Sequence, residues 1–350
     1  MTLSHVRIVG SGLIGTSIGL GLALKGVGVT MVDLDQRAQK LAEDLVNTPS
    51  NASVDLVIFA TPIGALNSVL DSEYASNAKS AFIDISSVKS KVKVEVTSSK
   101  LPLSRFLPTH PMAGREVGGA ESARGDLFQG RPWIVDSQGV DPDVLASATE
   151  LIELLGGQLV TLDSKEHDQA VALVSHLPQL VSSLLAKQLG GGEERWMELA
   201  GAGLRDTTRI AGSDPQLWRE IITSNREALT PLLQALQSDL TELISSIDNE
   251  SAVAALIEAG QRGRQRIPGK HGGKAREYTY LPIVIEDKPG QLASLFDECA
   301  KAGVNVEDLA IEHSPGQFTG LITLALSQEG AAKLSNHLKA QGWNVHTPRS

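Results

Sequence analysis

Short apolar and β-branched runs alternate with stretches of helical periodicity through the first half of the chain, the pattern of a parallel sheet flanked by helices. It predicts strands at His5–Val9, Val27–Val32, Leu56–Ala60, Ala81–Ile85, Arg105–Pro108, Trp133–Asp136 and Gln158–Thr161. Helices are predicted between them, among others at Leu13–Lys25, Gln36–Leu45 and Asp143–Leu155, the last started by Asp141-Pro142 and stopped by Gly156-Gly157. From about Lys165 strand signals cease and helical periodicity continues to Gly260. Pro178 and Pro231 are expected to kink or divide those helices, and Ser213-Asp214-Pro215 reads as an N-cap followed by proline in the first turn. Residues 261–276 hold six Lys/Arg, four Gly and no acid. That composition reads as a flexible linker in preference to an anion-binding arm. Beyond it the pattern predicts Tyr278–Ile285, Gly290–Ala302, Val304–His313, Phe318–Leu326, Gln328–Ala340 and Trp343–Thr347, a βαββαβ or ferredoxin-like module. The expected plan is an α/β domain over 1–164, an all-α domain over 165–260, a basic linker over 261–277 and the βαββαβ domain over 278–350.

Composition narrows the functional classes. A chain of 350 residues, 41% hydrophobic and 21% charged, is expected to form two or three soluble globular domains. The net charge of −10 gives no global attraction to nucleic acid or to an anionic membrane. Aromatics at 4% argue against a carbohydrate groove or a base-stacking platform. Cys299 is the single cysteine, which excludes an internal disulfide framework and any multi-cysteine metal site and suits a reducing compartment. Residues 8–24 carry no charge, yet they include Gly10, Gly12, Gly15, Gly19 and Gly21. They read as a buried strand, a tight turn and a closely packed helix, not as a signal or membrane segment, so a cytoplasmic location is expected.

The same stretch holds the first chemical signal. Gly10-Ser11-Gly12-Leu13-Ile14-Gly15 follows a predicted strand and opens a helix, and Asp33 ends the next strand. In that context the pattern is a Rossmann-type dinucleotide fingerprint. Gly10 permits the turn, Gly12 lets backbone approach a pyrophosphate, and Gly15 lets helix and strand pack. Asp33 is placed for the adenosine ribose and repels a 2′-phosphate, favouring NAD; Arg37 nearby keeps NADP as the alternative. Thr61-Pro62 ends a further strand and is expected to border the nicotinamide. Ser87 and Lys89 follow another, and His110 lies in the Pro/Gly-rich Pro108–Gly114 stretch, expected to be a loop that positions a catalytic side chain.

Several of these segments together resemble the prephenate/arogenate dehydrogenase family. They are Gly-x-Gly-Leu-Ile-Gly-x-Ser at 10–17, Ser-Val-Lys at 87–89, His-Pro-Met-Ala-Gly at 110–114, Ser-His-Leu-Pro at 175–178, Arg-Asp-x-Thr-Arg-Ile-Ala at 205–211 and Ser-Asp-Pro-x-x-Trp at 213–218. The final segment, with Asp287-Lys288-Pro289-Gly290-Gln291-Leu292, resembles an ACT regulatory domain.

The resemblance implies an NAD-dependent oxidative decarboxylation of prephenate to 4-hydroxyphenylpyruvate, the precursor of tyrosine. His110 would accept the C4 hydroxyl proton, with Ser87 in the same hydrogen-bond network. Arg209 would bind a substrate carboxylate, held by Asp206 three residues earlier. Arg205 would add positive potential, and His176 would stand on the substrate wall. Relatives often carry a further histidine where this chain has Gln179, so no role is assigned there. His167-Asp168 and His176 lack the spacing of a helical ligand pair, and no metal is expected. The expected assembly is a homodimer through the helical domain. At the C-terminal module, Asp287, Pro289, Gly290 and Asn305 would receive tyrosine or phenylalanine; a purely structural module is the alternative. Rival readings of the whole are an arogenate dehydrogenase, a non-catalytic amino-acid sensor and a 3-hydroxyacid or imine oxidoreductase.

Overall fold

The computed structural model describes residues 3–114, 117–267, 278–312 and 318–349. The chain divides into two compact units, 1–239 and 240–350. The first unit opens with β1 (His5–Val9), α1 (Leu13–Ala23), β2 (Gly28–Val32), α2 (Gln36–Val46), β3 (Leu56–Phe59), α3 (Ile63–Ser76), β4 (Ala81–Asp84), α4 (Ser90–Thr97) and β5 (Phe106–Leu107). These strands form a parallel sheet in the order β2-β1-β3-β4-β5. The chain order reverses between β1 and β3, and ligands of such sheets bind in the crevice outside the carboxyl ends there.

Alternation along each strand builds two cores. Leu56 and Ile58 of β3 and Ile83 of β4 join Ile18 and Leu22 of α1 on one face. Val57, Phe59 and Phe82 pack on the other against Ile63, Leu66 and Leu70 of α3 and Val92 and Val96 of α4. Strands buried on both faces read as near-continuous apolar runs, as these do. The 8–24 stretch is therefore strand, turn and core helix.

The single seven-stranded sheet that the pattern suggests is instead two sheets. Pro108 interrupts the expected Arg105–Pro108 strand. Beyond it β6 (Thr109–Pro111) pairs antiparallel with β7 (Pro132–Val135), which pairs parallel with β8 (Gln158–Thr161). His110 thus lies within a strand opposite Ile134, not on a loop. Residues 115 and 116, just past the His-Pro-Met-Ala-Gly segment, lie outside the described residues. Between β7 and β8 runs α5 (Pro142–Leu154), with Gly156 at φ +72° ending the turn after it.

Helices follow: α6 (Ser164–Val171), a π-helical turn over Ala172–His176, α7 (Leu177–Leu189), α8 (Glu194–Met197), α9 (Ala202–Thr208), a 3-10 turn over Arg209–Gly212, α10 (Pro215–Ser224) and α11 (Arg226–Ser245). The Asp214 side chain caps α10 by accepting from Gln216 N–H at 2.9 Å, with Pro215 in the first turn. Pro178 sits at the start of α7, after the π turn, whereas Pro231 lies inside α11 without ending it. Among the described residues, Ser164–Leu189 is the run long and apolar enough to cross a membrane by length and composition. Its buried residues include His167, Asp168, His176 and Gln179, all hydrogen-bonded within the unit.

In the second unit α12 (Glu250–Gln265) extends into the stretch expected to be linker. Asn249 caps its start, and Arg262 and Arg264 occupy its last turn, where cations suit the helix dipole. The rest of that stretch, 268–277, lies outside the described residues. Then come β9 (Thr279–Glu286), α13 (Gln291–Lys301), β10 (Asp308–Glu312), β11 (Thr319–Leu326), α14 (Gln328–Ala340) and β12 (Asn344–Val345). The antiparallel sheet has the order β10-β11-β9-β12. Leu295, Cys299, Leu334 and Leu338 of the two helices form its core with Leu281, Ile283 and Leu324.

Candidate active site

The turn between β1 and α1 has the features a dinucleotide needs. Gly10 stands at φ +112°, and a Cβ there would overlap the Ala60 carbonyl. A Cβ on Gly15 would overlap the Gly10 carbonyl oxygen, so only glycine lets α1 approach β1 this closely. At Gly12 the surroundings are open, and no side chain caps α1. Leu13 and Ile14 form its first turn, whose uncapped N–H groups suit a phosphate. Asp33 Oδ2 accepts from Ser11 N–H at 2.6 Å, and Oδ1 from Asp35 N–H at 2.9 Å. This anchors the carboxylate beside the turn with lone pairs to spare for hydroxyl donors. Among the described residues three buried hydroxyls have no hydrogen-bond partner: Thr48 Oγ1, away from this turn, and Ser11 Oγ and Thr61 Oγ1 beside it. Ser11 and Thr61 lie at the carboxyl ends of the central strands β1 and β3, and Pro62 occupies the N-cap position of α3. Orphaned polar atoms, open backbone and an anchored acid all fit a bound NAD.

Around the end of β4 a second set is fastened together. The Lys89 ammonium is buried between Asp84 Oδ2, with which it pairs closely, and the Thr109 carbonyl. Burial pushes the Lys89 pKa down, while Asp84 and the more distant Asp168 and Asp136 oppose that shift. Thr109 N–H donates to Asp84 Oδ1 at 3.1 Å, and Trp133 Nε1–H to Thr109 Oγ1 at 3.0 Å, locking β6 between β4 and β7. Asp136, just past β7, accepts from Ser164 N–H at 2.8 Å and pairs with Lys93 at 2.6 Å, fixing α6 against α4.

This scaffold holds a line of hydrogen bonds ending at His110. His110 Nδ1 lies 2.8 Å from His167 Nε2, and His167 Nδ1 lies 2.8 Å from Asp168 Oδ1. The Asp168 carboxylate accepts from Lys89 N–H and Ser90 N–H, both at 2.8 Å, at the N-terminus of α4. Burial works to raise its pKa, but the bonds from His167, Lys89 and Ser90 hold it below the usual carboxylate value. His110 is held well below its ordinary 6.5, first by burial and then by His167, Lys89 and His176. His176, in the π turn, lies 3.1 Å from Asn225 Nδ2 and edge-on to Trp218. Burial depresses its pKa to about 4. Gln179, one turn further, donates to the Ile210 carbonyl at 2.9 Å and ties α7 to the turn that Arg209 opens.

Some expected partnerships differ. Ser87 is half-buried on the loop after β4, but the side-chain bond of His110 goes to His167. Asp206 lies near the end of α9, and Arg209, three residues on, opens the 3-10 turn that follows. Arg205, Asp206 and Arg209 are all exposed in the single chain. His167 and Asp168, read in sequence only as poor metal ligands, stand behind His110: His167 bonds it directly and Asp168 bonds His167. A histidine and an aspartate adjacent within a helix were their sole signal. Asn225 gave none.

In the second unit Glu286, Asp287, Lys288, Gly290 and Gln291 line a pocket of about 260 Å³ with Ile311 opposite. Gly290, at φ +87°, opens α13 without a side-chain cap. Asn305 is exposed and donates to Glu307 at 3.0 Å, because its loop precedes β10 and does not line the pocket. Pro289 lies in the same turn as Gly290 without lining the pocket.

Known proteins resemble the chain along most of its length. Residues 18–161 match the family model of the prephenate dehydrogenase nucleotide-binding domain, and residues 163–258 that of the prephenate dehydrogenase dimerization domain. A probable prephenate dehydrogenase of Streptomyces niveus, NovF, is 29% identical over 97% of this chain and 99% of its own. The cyclohexadienyl dehydrogenase of Zymomonas mobilis is 30% identical over 76% of this chain and 97% of its own. The crystal structure of Synechocystis arogenate dehydrogenase superimposes with a TM-score of 0.63 at 28% identity, covering 75% of this chain and 99% of that one. The chain belongs to the prephenate dehydrogenase family.

Proposed function

We propose that His110 is the proton acceptor in the NAD-dependent oxidative decarboxylation of prephenate to 4-hydroxyphenylpyruvate. The observation that carries this reading is the buried line from Asp168 through His167 to His110. It leaves His110 Nε2 without a partner among the described residues, on β6, which Thr109 ties to Asp84 at the end of β4 in the sheet whose β1–α1 turn suits a dinucleotide. NAD, when bound at Gly10, Gly12, Gly15 and Asp33, supplies the hydride acceptor, with Thr61 and Pro62 bordering the nicotinamide. As hydride leaves C4 of prephenate, His110 Nε2 takes the proton of the C4 hydroxyl, and carbon dioxide departs as the ring aromatises. Aromatisation supplies much of the drive, so the protein mainly orients the substrate and receives the proton. Ser87 stands on the adjoining loop as a further hydroxyl for the substrate. Arg209 binds a substrate carboxylate through its planar fork, Arg205 adds positive potential, and His176 lines the wall.

Arogenate carries an amine where prephenate has the side-chain keto group, and relatives bear both the prephenate and the arogenate names. The arginines favour the substrate without an ammonium. The test is to follow reduced nicotinamide while offering prephenate and arogenate, each with NAD and with NADP. The highest rate with prephenate and NAD supports the reading, and a highest rate with arogenate replaces the substrate.

The active form is read as a cytoplasmic homodimer. Leu173, Val174, Val181, Leu184 and Leu185 on the 164–189 run are 39–64% exposed in the single chain, an apolar face for a second copy to cover. The C-terminal module is read as an ACT domain. Its pocket beside Asp287 and Gly290 offers uncapped amides to an amino-acid carboxylate, and tyrosine, the pathway's product, is the first candidate ligand before phenylalanine.

A further inference from the structure

The bonds at the candidate site form one continuous buried string. His110 Nδ1 meets His167 Nε2, His167 Nδ1 meets Asp168, and the Asp168 main-chain carbonyl accepts from Asn225 Nδ2 at 2.8 Å. The same Asn225 nitrogen lies 3.1 Å from His176 Nδ1. His167, Asp168, His176 and Asn225 are all buried. The string thus begins and ends on a histidine, and at each end Nε2 has no hydrogen-bond partner among the described residues.

Donor and acceptor rules then leave little freedom. A carboxylate only accepts, so His167 Nδ1 must carry the hydrogen that bonds Asp168. In a neutral His167, Nε2 is then a bare acceptor, and His110 Nδ1 must be the donor to it. His110 Nε2 is therefore bare, as a base requires. At the other end the Asp168 carbonyl, also an acceptor only, requires the amide NH2 of Asn225 to face it. That fixes the amide orientation without reference to His176. The NH2 hydrogens then point at His176 Nδ1, which must be bare, so His176 carries its hydrogen on Nε2.

We propose that Asp168 and Asn225 are positioning residues that set the two histidines in opposite tautomers: His110 with a bare Nε2 that accepts, His176 with an Nε2–H that donates. The assignment rests on the reading of His110 as proton acceptor and extends it to what each imidazole offers the substrate. A dianionic keto acid presents only acceptors apart from its C4 hydroxyl. One accepting imidazole suits that hydroxyl, and one donating imidazole suits a carboxylate or keto oxygen. Two accepting imidazoles would leave the second facing substrate oxygen with no hydrogen between them. His176 as a neutral donor confers hydrogen bonding without competing for the proton that His110 takes up.

The full-length protein labelled with 15N-histidine tests this directly, because long-range proton–nitrogen correlations distinguish a protonated from a bare ring nitrogen. The two rings are assigned by the signals lost in His110→Gln and His176→Gln. The expected spectrum shows bare Nε2 and protonated Nδ1 for His110, and the reverse for His176. The opposite pattern at either ring overturns the proposal; a cationic His167 would produce it at His110. The native spectrum decides even if a variant fails to fold. Asn225→Leu should blur the His176 pattern into a mixture while leaving His110 unchanged. The same variant should raise KM for prephenate about tenfold or more, with kcat and KM for NAD nearly unchanged. A fall in kcat with an intact His176 pattern would instead make Asn225 a packing residue. Absence of turnover with prephenate alongside the expected spectrum would overturn the substrate reading and leave the tautomers standing.

Discussion

An imidazole can serve as a base only while it is uncharged, and the surroundings of His110 keep it so. With its pKa held well below 6.5 by burial and by His167, Lys89 and His176, it is neutral at pH 7 and becomes protonated only as pH falls through that lowered value. The acid limb of kcat/KM for prephenate should therefore lie below pH 6.5. A limb at or above that value, moved by His110 substitution, would contradict the burial effect. His110→Asn should keep substrate binding and lose about 10²–10⁴-fold in turnover, the usual range for a missing general base. Near-parent turnover in a folded variant would remove His110 from the reaction. Arg209 makes a separate claim at this scale. If it holds a substrate carboxylate as proposed, replacing it with alanine should raise KM for prephenate far more than KM for NAD. Equal weakening toward both ligands would point to a folding defect and against a carboxylate contact.

The elements explain why two glycines two positions apart should fail differently. Gly10 sits at positive φ against the Ala60 carbonyl, so Gly10→Ala forces β1 and β3 apart and should lower the unfolding midpoint. Gly12 faces open space, so Gly12→Val should leave the midpoint within a degree or two of the parent, about what a surface change costs. It should still weaken NAD binding about tenfold or more by occupying the pyrophosphate's approach. Calorimetry and NAD titration on the two variants separate the effects, and an unaltered NAD affinity in Gly12→Val would displace the cofactor from this turn. The contrast also shows what is legible in the sequence. The glycine turn, Asp33 and the buried strands are local: each follows from neighbours within a few residues. β6 is not local, because Pro108 can equally end a strand or bridge two, and only the distant Trp133 and Asp84 decide. The string behind His110 is less visible still. His110 and His167 are 57 positions apart and Asn225 and Asp168 also 57, and neither periodicity nor spacing reports such pairings.

At the scale of the whole molecule the open question is whether the C-terminal pocket speaks to the reaction. The solved Synechocystis structure is matched over 99% of its own length but only 75% of this chain, whereas NovF is matched over 97% of this chain, so the additional length is shared with some relatives and not all. An added module with its own core, a strand-to-helix turn at positive φ and a pocket of about 260 Å³ is large enough to hold an amino acid beside uncapped amides. Coupling requires two sites, and tyrosine resembles the product 4-hydroxyphenylpyruvate closely enough to compete at the first of them. The two routes separate when tyrosine is titrated into the full chain and into a version ending at Ile267, both assayed with prephenate and NAD. Inhibition of the full chain that the shortened enzyme escapes, while retaining its uninhibited rate, would establish regulation through the module. Charge reversal within the pocket, Lys288→Glu, should then weaken tyrosine inhibition while leaving the uninhibited rate unchanged, because Lys288 belongs to the pocket and to no part of the reaction machinery. Equal inhibition of both forms, overcome by excess prephenate, would place tyrosine in the active site as a product analogue and reduce the C-terminal module to a structural role.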